Sequence, residues 1–191
     1  MIDLSFTNPV EPEKAKFLIS DPFLQEDYFS RSIIFLCEHN NEGSFGFVIN
    51  NFISVNLHEL DENFPEIETE ISLGGPIEVS SLYFIHAFGA QIQNSTVISD
   101  GIYLGGDFQE LSNLIKTEPA LINKVRFFIG YAGWSAGQLE KEITTNSWVT
   151  VDIPATSIFK AKTKQNWKRY MYDLGGKFKI MSKFPKDPTN N

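Results

Sequence analysis

The amino-acid sequence predicts a single α+β domain. Its 191 residues suit one domain, and no Pro/Gly/Ser-rich linker or internal repeat divides the chain. The apolar runs that predict strands come in groups with few helical segments between them. A doubly wound sheet needs regular alternation of strands and helices, which is absent here. Several runs are continuously apolar, which indicates a sheet covered on both faces.

Seven short apolar runs predict strands, and four amphipathic segments predict helices. In chain order the strands cover residues 16–20, 31–38, 45–50, 82–88, 95–99, 125–131 and 147–153. The helices cover residues 55–64, 108–116 and 164–174, with a shorter one beginning at Ala136, because the apolar residues of each fall on one face.

Capping residues support three of these helices. Asp107 begins an Asp-x-x-Glu start signal, and Thr163 precedes the third helix, which Gly175 ends. Ser135 and Gln138 have the spacing of a capping box. This spacing predicts that the Ser135 hydroxyl accepts the backbone N–H of Gln138 at the start of the fourth helix.

The composition excludes several classes of protein. The net charge of −8 argues against nucleic-acid binding by the protein as a whole. Cys37 is the one cysteine, so no intrachain disulfide forms, and we expect it to behave as a small buried hydrophobe. The N-terminus lacks a secretory signal, and no apolar run approaches the roughly 20 residues that cross a bilayer. We therefore expect a cytoplasmic protein without membrane contact.

The charge is unevenly distributed along the chain. Residues 156–191 carry nine of the 16 lysines and arginines but only two acids. One interpretation is a solvated face, or a contact with the acidic remainder of the chain. The other is a contact with a polyanion or a partner, which gives an alternative function: a DNA-associated transcriptional regulator that uses this basic segment.

The sharpest motif is Gly-Trp-Ser-Ala-Gly at residues 133–137. It matches the nucleophile elbow of α/β-hydrolases, but in that fold the acid and the histidine follow the serine. All three histidines of this chain precede Ser135. We therefore favour the helix-cap interpretation and rank a Ser135 hydrolase last. A further interpretation is an anion held by backbone N–H groups of the turn at 130–140.

A second cluster, Leu-Cys-Glu-His-Asn at residues 36–40, carries a thiol, a carboxylate and an imidazole. As a regular strand it places Cys37 and His39 on one face and Glu38 on the other. Two such ligands are too few for a structural zinc site. His86 adds a third only if its strand is a neighbour, and a hydrogen-bonded core histidine is the ordinary alternative. We expect no metal and no cofactor.

Glycine pairs and tryptophans complete the set of notable residues. The Gly-Gly pairs at 74–75 and 105–106 predict tight turns with close backbone approach. Trp134 and Trp148 flank polar residues of the fourth helix, which is consistent equally with a recognition surface and with core packing.

Together these segments resemble the YqgE/AlgH family of bacterial proteins. The resemblance rests on residues 18–50, the Gly-Gly-Pro of 74–76, GYAGWSAGQLEKEI at 130–143 with Asn146 and Trp148 after it, and the segment around Trp167. It implies a cytosolic α+β fold with an unusual branched sheet. It implies no activity, since the family is largely uncharacterised and its transcriptional-regulator label comes from alginate production in one branch. The chain departs from the family pattern at Asn51-Phe52, where Arg-Pro or Lys-Pro is common.

We therefore predict one YqgE/AlgH-like domain over residues 1–181 and a flexible tail over 182–191. The fold class is α+β, with a largely antiparallel, branched or barrel-like sheet flanked by helices. The predicted function is that of a non-catalytic cytosolic binding or regulatory protein whose partner is an unidentified protein or small molecule. No catalytic residue is assigned. The candidate binding surface consists of Glu38, His39, Asn50, Gly133, Trp134, Ser135, Gln138 and Glu140.

Overall fold

A computed structural model describes residues 8–24, 26, 28–53, 55–160 and 166–185. The strands in these ranges are β1 (Phe17–Ser20), β2 (Ile33–Asn40), β3 (Gly43–Val48), β4 (Phe52–Ile53), β5 (Ile71–Leu73), β6 (Ile77–His86), β7 (Thr96–Ser99), β8 (Ile102–Leu104), β9 (Val125–Ser135) and β10 (Trp148–Val151). The α-helices are α1 (Leu57–Leu60), α2 (Phe108–Thr117), α3 (Gln138–Thr144), α4 (Asn166–Asp173) and α5 (Gly176–Met181). Short 3₁₀ segments cover Gly89–Gln91, Pro119–Lys124 and Ala155–Lys160.

The sheet branches at β9. The first half of β9 pairs with β6 in the antiparallel and with β5 in the parallel direction, while residues 132–135 pair with β3. The main path of the sheet runs β10-β1-β2-β3-β9-β6-β8-β7, and β4 joins through β5. Gly130 lies at the branch with a φ of +66°, a left-handed conformation that glycine adopts without steric cost. The α+β fold with a largely antiparallel, branched sheet is confirmed, and over the described residues the sheet does not close into a barrel.

Three apolar cores cover the two faces of the sheet. Core 1 contains Phe17, Phe35, Phe47 and Phe128 with Trp167 and Met171 of α4. Core 2 contains Phe84 and Phe127 with Leu111 and Ile115 of α2. Core 3 contains Leu36, Trp134 and Trp148 with Leu139 of α3. Neighbours along a strand, such as Phe127 and Phe128, enter different cores, which explains why the strand sequences are continuously apolar.

Arg126 is a buried cation that joins four parts of the fold. Its guanidinium on β9 donates to the carbonyl of Ile158 at 2.9 Å, to the carbonyl of Ile49 at 2.8 Å and to the hydroxyl of Ser72 on β5 at 2.9 Å. Burial lowers the pKa of Arg126 to about 10. The side chain therefore stays charged at neutral pH, and its donors satisfy carbonyls that lie away from water.

The predicted elements are present, with differences at their boundaries. All seven predicted strands form, but the chain adds β4, β5, β8 and α5, each of six residues or fewer. The helix predicted at 55–64 shortens to α1, which Asn56 caps by accepting the N–H of His58 at 3.1 Å. The predicted Asp107 cap accepts the N–H of Glu110, while Thr163 lies outside the described residues. None of the described helices is long and apolar enough to cross a membrane.

Packed structure continues past the predicted tail boundary at residue 182. Ser182 is buried, and the carbonyl of Phe184 accepts a hydrogen bond from the Arg31 guanidinium. The ring of Phe184 lies 5.2 Å from that of Phe23. Residues 186–191 of the predicted tail lie outside the described residues.

Candidate functional site

A cleft of about 640 Å³ opens beside the branch of the sheet. It is lined by residues of β2, β3, β6 and β9, with Leu104 of β8 and the β2–β3 turn. Pockets that hold small molecules usually measure roughly 300–1,000 Å³ and combine apolar walls with a few polar groups. The volume of the cleft lies within this range, and its lining combines aromatic rings with carboxylates.

Four aromatic rings form one wall of the cleft. The ring centroid of Tyr131 on β9 lies 5.9 Å from that of Phe45 on β3 and 5.9 Å from that of Tyr83 on β6, both edge-to-face. Phe47 lies 5.5 Å from Tyr83 and is buried, whereas the other three rings are only half-buried. Edge-to-face contacts fix the rings against one another, so this wall presents a preformed aromatic surface.

Three carboxylates stand around the aromatic wall: Glu38 on β2, Glu42 in the β2–β3 turn and Glu78 on β6. The Tyr83 hydroxyl donates to a carboxylate oxygen of Glu78. Burial raises the pKa of Tyr83 to about 12, and the hydrogen bond and negative charge of Glu78 are the next largest causes. The phenol therefore keeps its proton at neutral pH and ties Glu78 to the wall.

A wide bulge in β6 carries Glu78 to this position. Ile77 pairs with Tyr131 of β9, and the next paired residue of β6, Leu82, pairs with Ile129. Five steps along β6 therefore correspond to only two along β9. Glu78 itself has a φ of +51°, an uncommon conformation for a residue with a side chain. Val79, in the same bulge, is 61% exposed. Glu78 is therefore unpaired with β9 and borders the cleft.

A second bulge, in β2, decides which side chains reach the cleft. The β2–β3 register shifts between Leu36 and Glu38, so Cys37 is an additional residue on β2. Cys37 and Glu38 consequently both lie on the core 1 side, and His39 lies on the other. The prediction that Cys37 and His39 share a face was wrong, because regular alternation does not survive a bulge.

On the opposite face of β9, Glu142 of α3 is the centre of a hydrogen-bond network. Its Oε2 accepts the indole N–H of Trp134 at 2.8 Å and that of Trp148 at 2.8 Å. Its Oε1 accepts from the Gln138 amide at 2.9 Å. Both indoles are buried and lie 5.9 Å apart edge-to-face. One carboxylate therefore anchors α3 to β9 and β10.

The comparisons with known proteins agree with this fold. The sequence matches the AlgH-like family, DUF179, over residues 17–179. A UPF0301 protein of Parabacteroides distasonis is 40% identical over 186 residues, which cover 96% of this chain and 94% of the relative. The chain belongs to the AlgH-like family. A UPF0301 protein of Cytophaga hutchinsonii is 37% identical over 179 residues, which cover 93% of this chain and 98% of the relative. The family resemblance predicted from the sequence is confirmed.

Two solved structures share the AlgH-like fold. The solution structure of the AlgH protein from Pseudomonas aeruginosa superimposes with a TM-score of 0.68 at 23% identity, covering 94% of this chain and 98% of that one. The crystal structure of a Corynebacterium diphtheriae protein superimposes with a TM-score of 0.72 at 21% identity, covering 92% and 94%. The overall fold of this chain therefore also occurs in these two structures.

Within this AlgH-like fold the predicted binding surface divides into three places. Four of its residues line the cleft: Glu38, Gly133, Trp134 and Ser135. His39 and Glu140 meet on the α3 face, where His39 Nε2 lies 3.7 Å from a Glu140 oxygen and Nδ1 lies 2.7 Å from the Ser44 hydroxyl. Gln138 joins the Glu142 network. Asn50 is remote and buried, and it links the backbone of Ile33 and Arg31 as a structural residue.

The AlgH-like motif at 133–137 does not form a nucleophile elbow. β9 continues to Ser135, and α3 begins only after Gly137, whose φ is +73°. The predicted Ser135 cap was therefore wrong: Gln138 Oε1 instead accepts from the Ser135 N–H at 3.0 Å and from its hydroxyl at 3.1 Å. An amide oxygen cannot remove a proton from serine, which counts against the hydrolase. The nearby carboxylates of Glu140 and Glu142 also disfavour an anion in this turn.

Sequence reasoning missed most of the cleft and the centre of the network. Tyr83, Tyr131 and Phe45 read as ordinary strand residues, and nothing in their local sequence shows that they meet. Glu142 had one usable signal, its i, i+4 spacing from Gln138 on a helix. Trp134 and Trp148 are both buried and pack in core 3, and Trp134 also lines the cleft.

His86 and Cys37 are structural residues. His86 Nδ1 accepts the Phe88 N–H at 3.2 Å, so Nε2 carries the proton and faces the Gly105 carbonyl at 3.0 Å. Phe88 and Tyr103 stack on either side of its ring. Cys37 is buried in core 1, and burial raises the pKa of its thiol well above the ordinary value. All ring nitrogens of His86 are occupied, so it does not serve as a metal ligand beside Cys37.

We expect acid to destabilise the fold through His86. Burial lowers the pKa of His86, so on acidification the unfolded chain binds a proton before the folded chain does. The stability that the neutral His86 contributes is fully present above the pKa of the unfolded chain, about 6.5. It is lost as the pH falls through that value toward the lower pKa of His86 in the folded chain. Urea unfolding of the wild type and His86→Gln between about pH 7 and 5 measures it. The variant should show a smaller loss of stability with acid, and equal slopes would contradict the assignment.

Proposed function

We propose that this AlgH-like chain is a non-catalytic, cytoplasmic binding protein whose ligand is a small molecule held in the cleft. The observation that supports the proposal is the aromatic wall. Phe45, Tyr83 and Tyr131 come from three strands, and each ring is only half-buried where it faces the cleft of about 640 Å³. Exposed aromatic surface in a concave site costs free energy in water, and a ligand that covers it recovers that cost.

The test uses a substitution that occupies the cleft. A Cβ added to Gly133 points toward the Ile77 side chain at 2.9 Å and the Tyr131 ring at 3.3 Å. Gly133→Leu therefore places its side chain among residues that line the cleft, against side chains rather than backbone. Gln109→Leu, on the exposed surface of α2, adds a leucine away from the cleft and is the matched control.

We expect a chemically diverse fragment set, followed by ¹H–¹⁵N NMR, to shift the amides of β3 and β9 around Phe45 and Gly133. Fragment affinity should fall at least about tenfold in Gly133→Leu, because the side chain displaces the ligand, and should be unchanged in Gln109→Leu. Shifts confined to other surfaces, or equal affinity for Gly133→Leu, would refute the cleft as the binding site.

A further inference from the structure

The aromatic wall and the carboxylates together select the charge of the ligand. Aromatic faces attract cations through the ring quadrupole, and the attraction is strongest where water is partly excluded. Half-buried Tyr83 and Tyr131 meet this condition. Among the described residues that line the cleft, Glu38, Glu42 and Glu78 are acidic and none is lysine or arginine.

The carboxylates differ in how far they are already paired. Lys14 lies 3.5 Å from Glu38, so that charge is partly compensated. Glu42 and Glu78 are exposed, and Glu78 accepts the Tyr83 hydroxyl through Oε2. The hydrogen bond from the neutral Tyr83 hydroxyl holds the Glu78 carboxylate in place and leaves its negative charge uncompensated. The strongest attraction for a cation is therefore beside Tyr83, where ring and carboxylate lie together.

Resting on the proposed function, we propose that the ligand of this cleft is a small organic cation: a protonated or quaternary amine attached to an apolar or aromatic body. The ammonium group lies by Glu78 and Tyr83, and the apolar body covers Phe45 and Tyr131. The cleft volume suits a small molecule larger than a bare amine. The net charge of −8 of the whole chain favours the approach of such a ligand.

A series of three probes with one apolar body and different charges tests the proposal: phenylpropylammonium, phenylpropanol and phenylpropanoate. Binding is followed by the NMR shifts of the Phe45 and Gly133 amides. We expect the ammonium to bind more tightly than the alcohol and the carboxylate to bind weakest. Its affinity should fall with added salt while that of the alcohol does not, because only the charged ligand is screened.

Glu78→Gln isolates the charge, because glutamine still accepts the Tyr83 hydroxyl. We expect it to weaken the ammonium about fivefold, the ratio expected for an exposed ion pair at close range, and to leave the alcohol unchanged. Glu118→Gln, on an exposed residue that does not line the cleft, is the control and should change neither affinity.

Each outcome separates this inference from the proposed function. If the alcohol binds as tightly as the ammonium, or the carboxylate binds best, the ligand is not a cation, although the cleft still binds small molecules. If none of the three shifts the cleft amides while other members of the fragment set do, the cation assignment fails and the cleft still binds small molecules. If no fragment shifts them either, both proposals are refuted. If a lysine-containing tripeptide binds at least about tenfold more tightly than the free amine, the occupant is a protein segment and the small-molecule assignment fails.

Discussion

Replacing Glu142 with alanine is expected to lower the free energy of unfolding by about 3 kcal/mol, because it leaves two buried indole N–H groups without an acceptor. Each lost acceptor costs about 1–3 kcal/mol when the donor stays buried. Trp148 is 1% exposed and Trp134 is 7% exposed, so water reaches neither donor easily. In a domain of this size the loss corresponds to a decrease in Tm of about 9 °C.

Two further variants define what Glu142 contributes. Glu140→Ala changes an acid on the same helix whose side chain is largely exposed, and we expect a cost below about 1 kcal/mol. Glu142→Gln should fall between them. Its amide oxygen still accepts from the indoles, but its N–H₂ then faces the Gln138 amide donor, which Ser135 holds in place.

Urea unfolding gives the energies, and NMR gives a local readout. The indole N–H signals of Trp134 and Trp148 should move in Glu142→Ala. The signal of Trp167, which donates to the Ser20 carbonyl at 2.9 Å, should not move. If Glu142→Ala is as stable as Glu140→Ala, or if all three indole signals stay in place, the network does not hold α3 to the sheet.

The sequence predicted the strands of the fold better than the cleft. Strands follow from local apolar patterns, whereas the cleft follows from pairing between strands that are distant in the sequence. A continuously apolar run such as 31–38 specifies its own burial, because both of its faces need covering. β5 and β8 have three residues each and form because longer strands pair with them. Local propensity carries too little information to predict elements of that length.

The cleft depends on register, which the sequence of one strand does not reveal. The bulge at Cys37 moves Glu38 onto the same side as Phe45, and the wider bulge at Ile77–Leu82 brings Glu78 to Tyr83. Each bulge is visible only once the partner strand is known. The GYAGW segment contributes Tyr131, Gly133 and Trp134 to the lining of the cleft, and its neighbours across the sheet complete that lining.

The predicted turn at Gly74-Gly75-Pro76 contains the glycine whose substitution we expect to destabilise the fold most. The sequence predicted that another backbone segment packs closely against this turn, and in the structure that segment is β9 at Tyr131 and Ala132. A Cβ on Gly75 would lie 1.9 Å from the carbonyl carbon of Tyr131 and 2.1 Å from the nitrogen of Ala132. Gly130, at the branch, presents the same contact from the other side, since a Cβ there would lie 2.5 Å from the Gly75 carbonyl oxygen.

Gly75→Ala is therefore expected to cost at least about 4 kcal/mol, because backbone, unlike a side chain, cannot rotate away from the added methyl group. The strand that must move is β9, which pairs with three others and carries Tyr131 into the cleft. We accordingly expect the variant to be largely unfolded or to melt far below the wild type, and its remaining folded fraction to lose affinity for cleft ligands.

The matched control is Gly101→Ala. Gly101 has a φ of +70° and no heavy atom within 4 Å of an added Cβ, so the substitution meets backbone strain without a clash. Its cost should be only about 1–2 kcal/mol. Circular dichroism and urea unfolding of both variants separate the two effects. Stabilities within about 1 kcal/mol of each other would mean that β9 yields readily at the branch; the aromatic wall that depends on its position would then not be preformed.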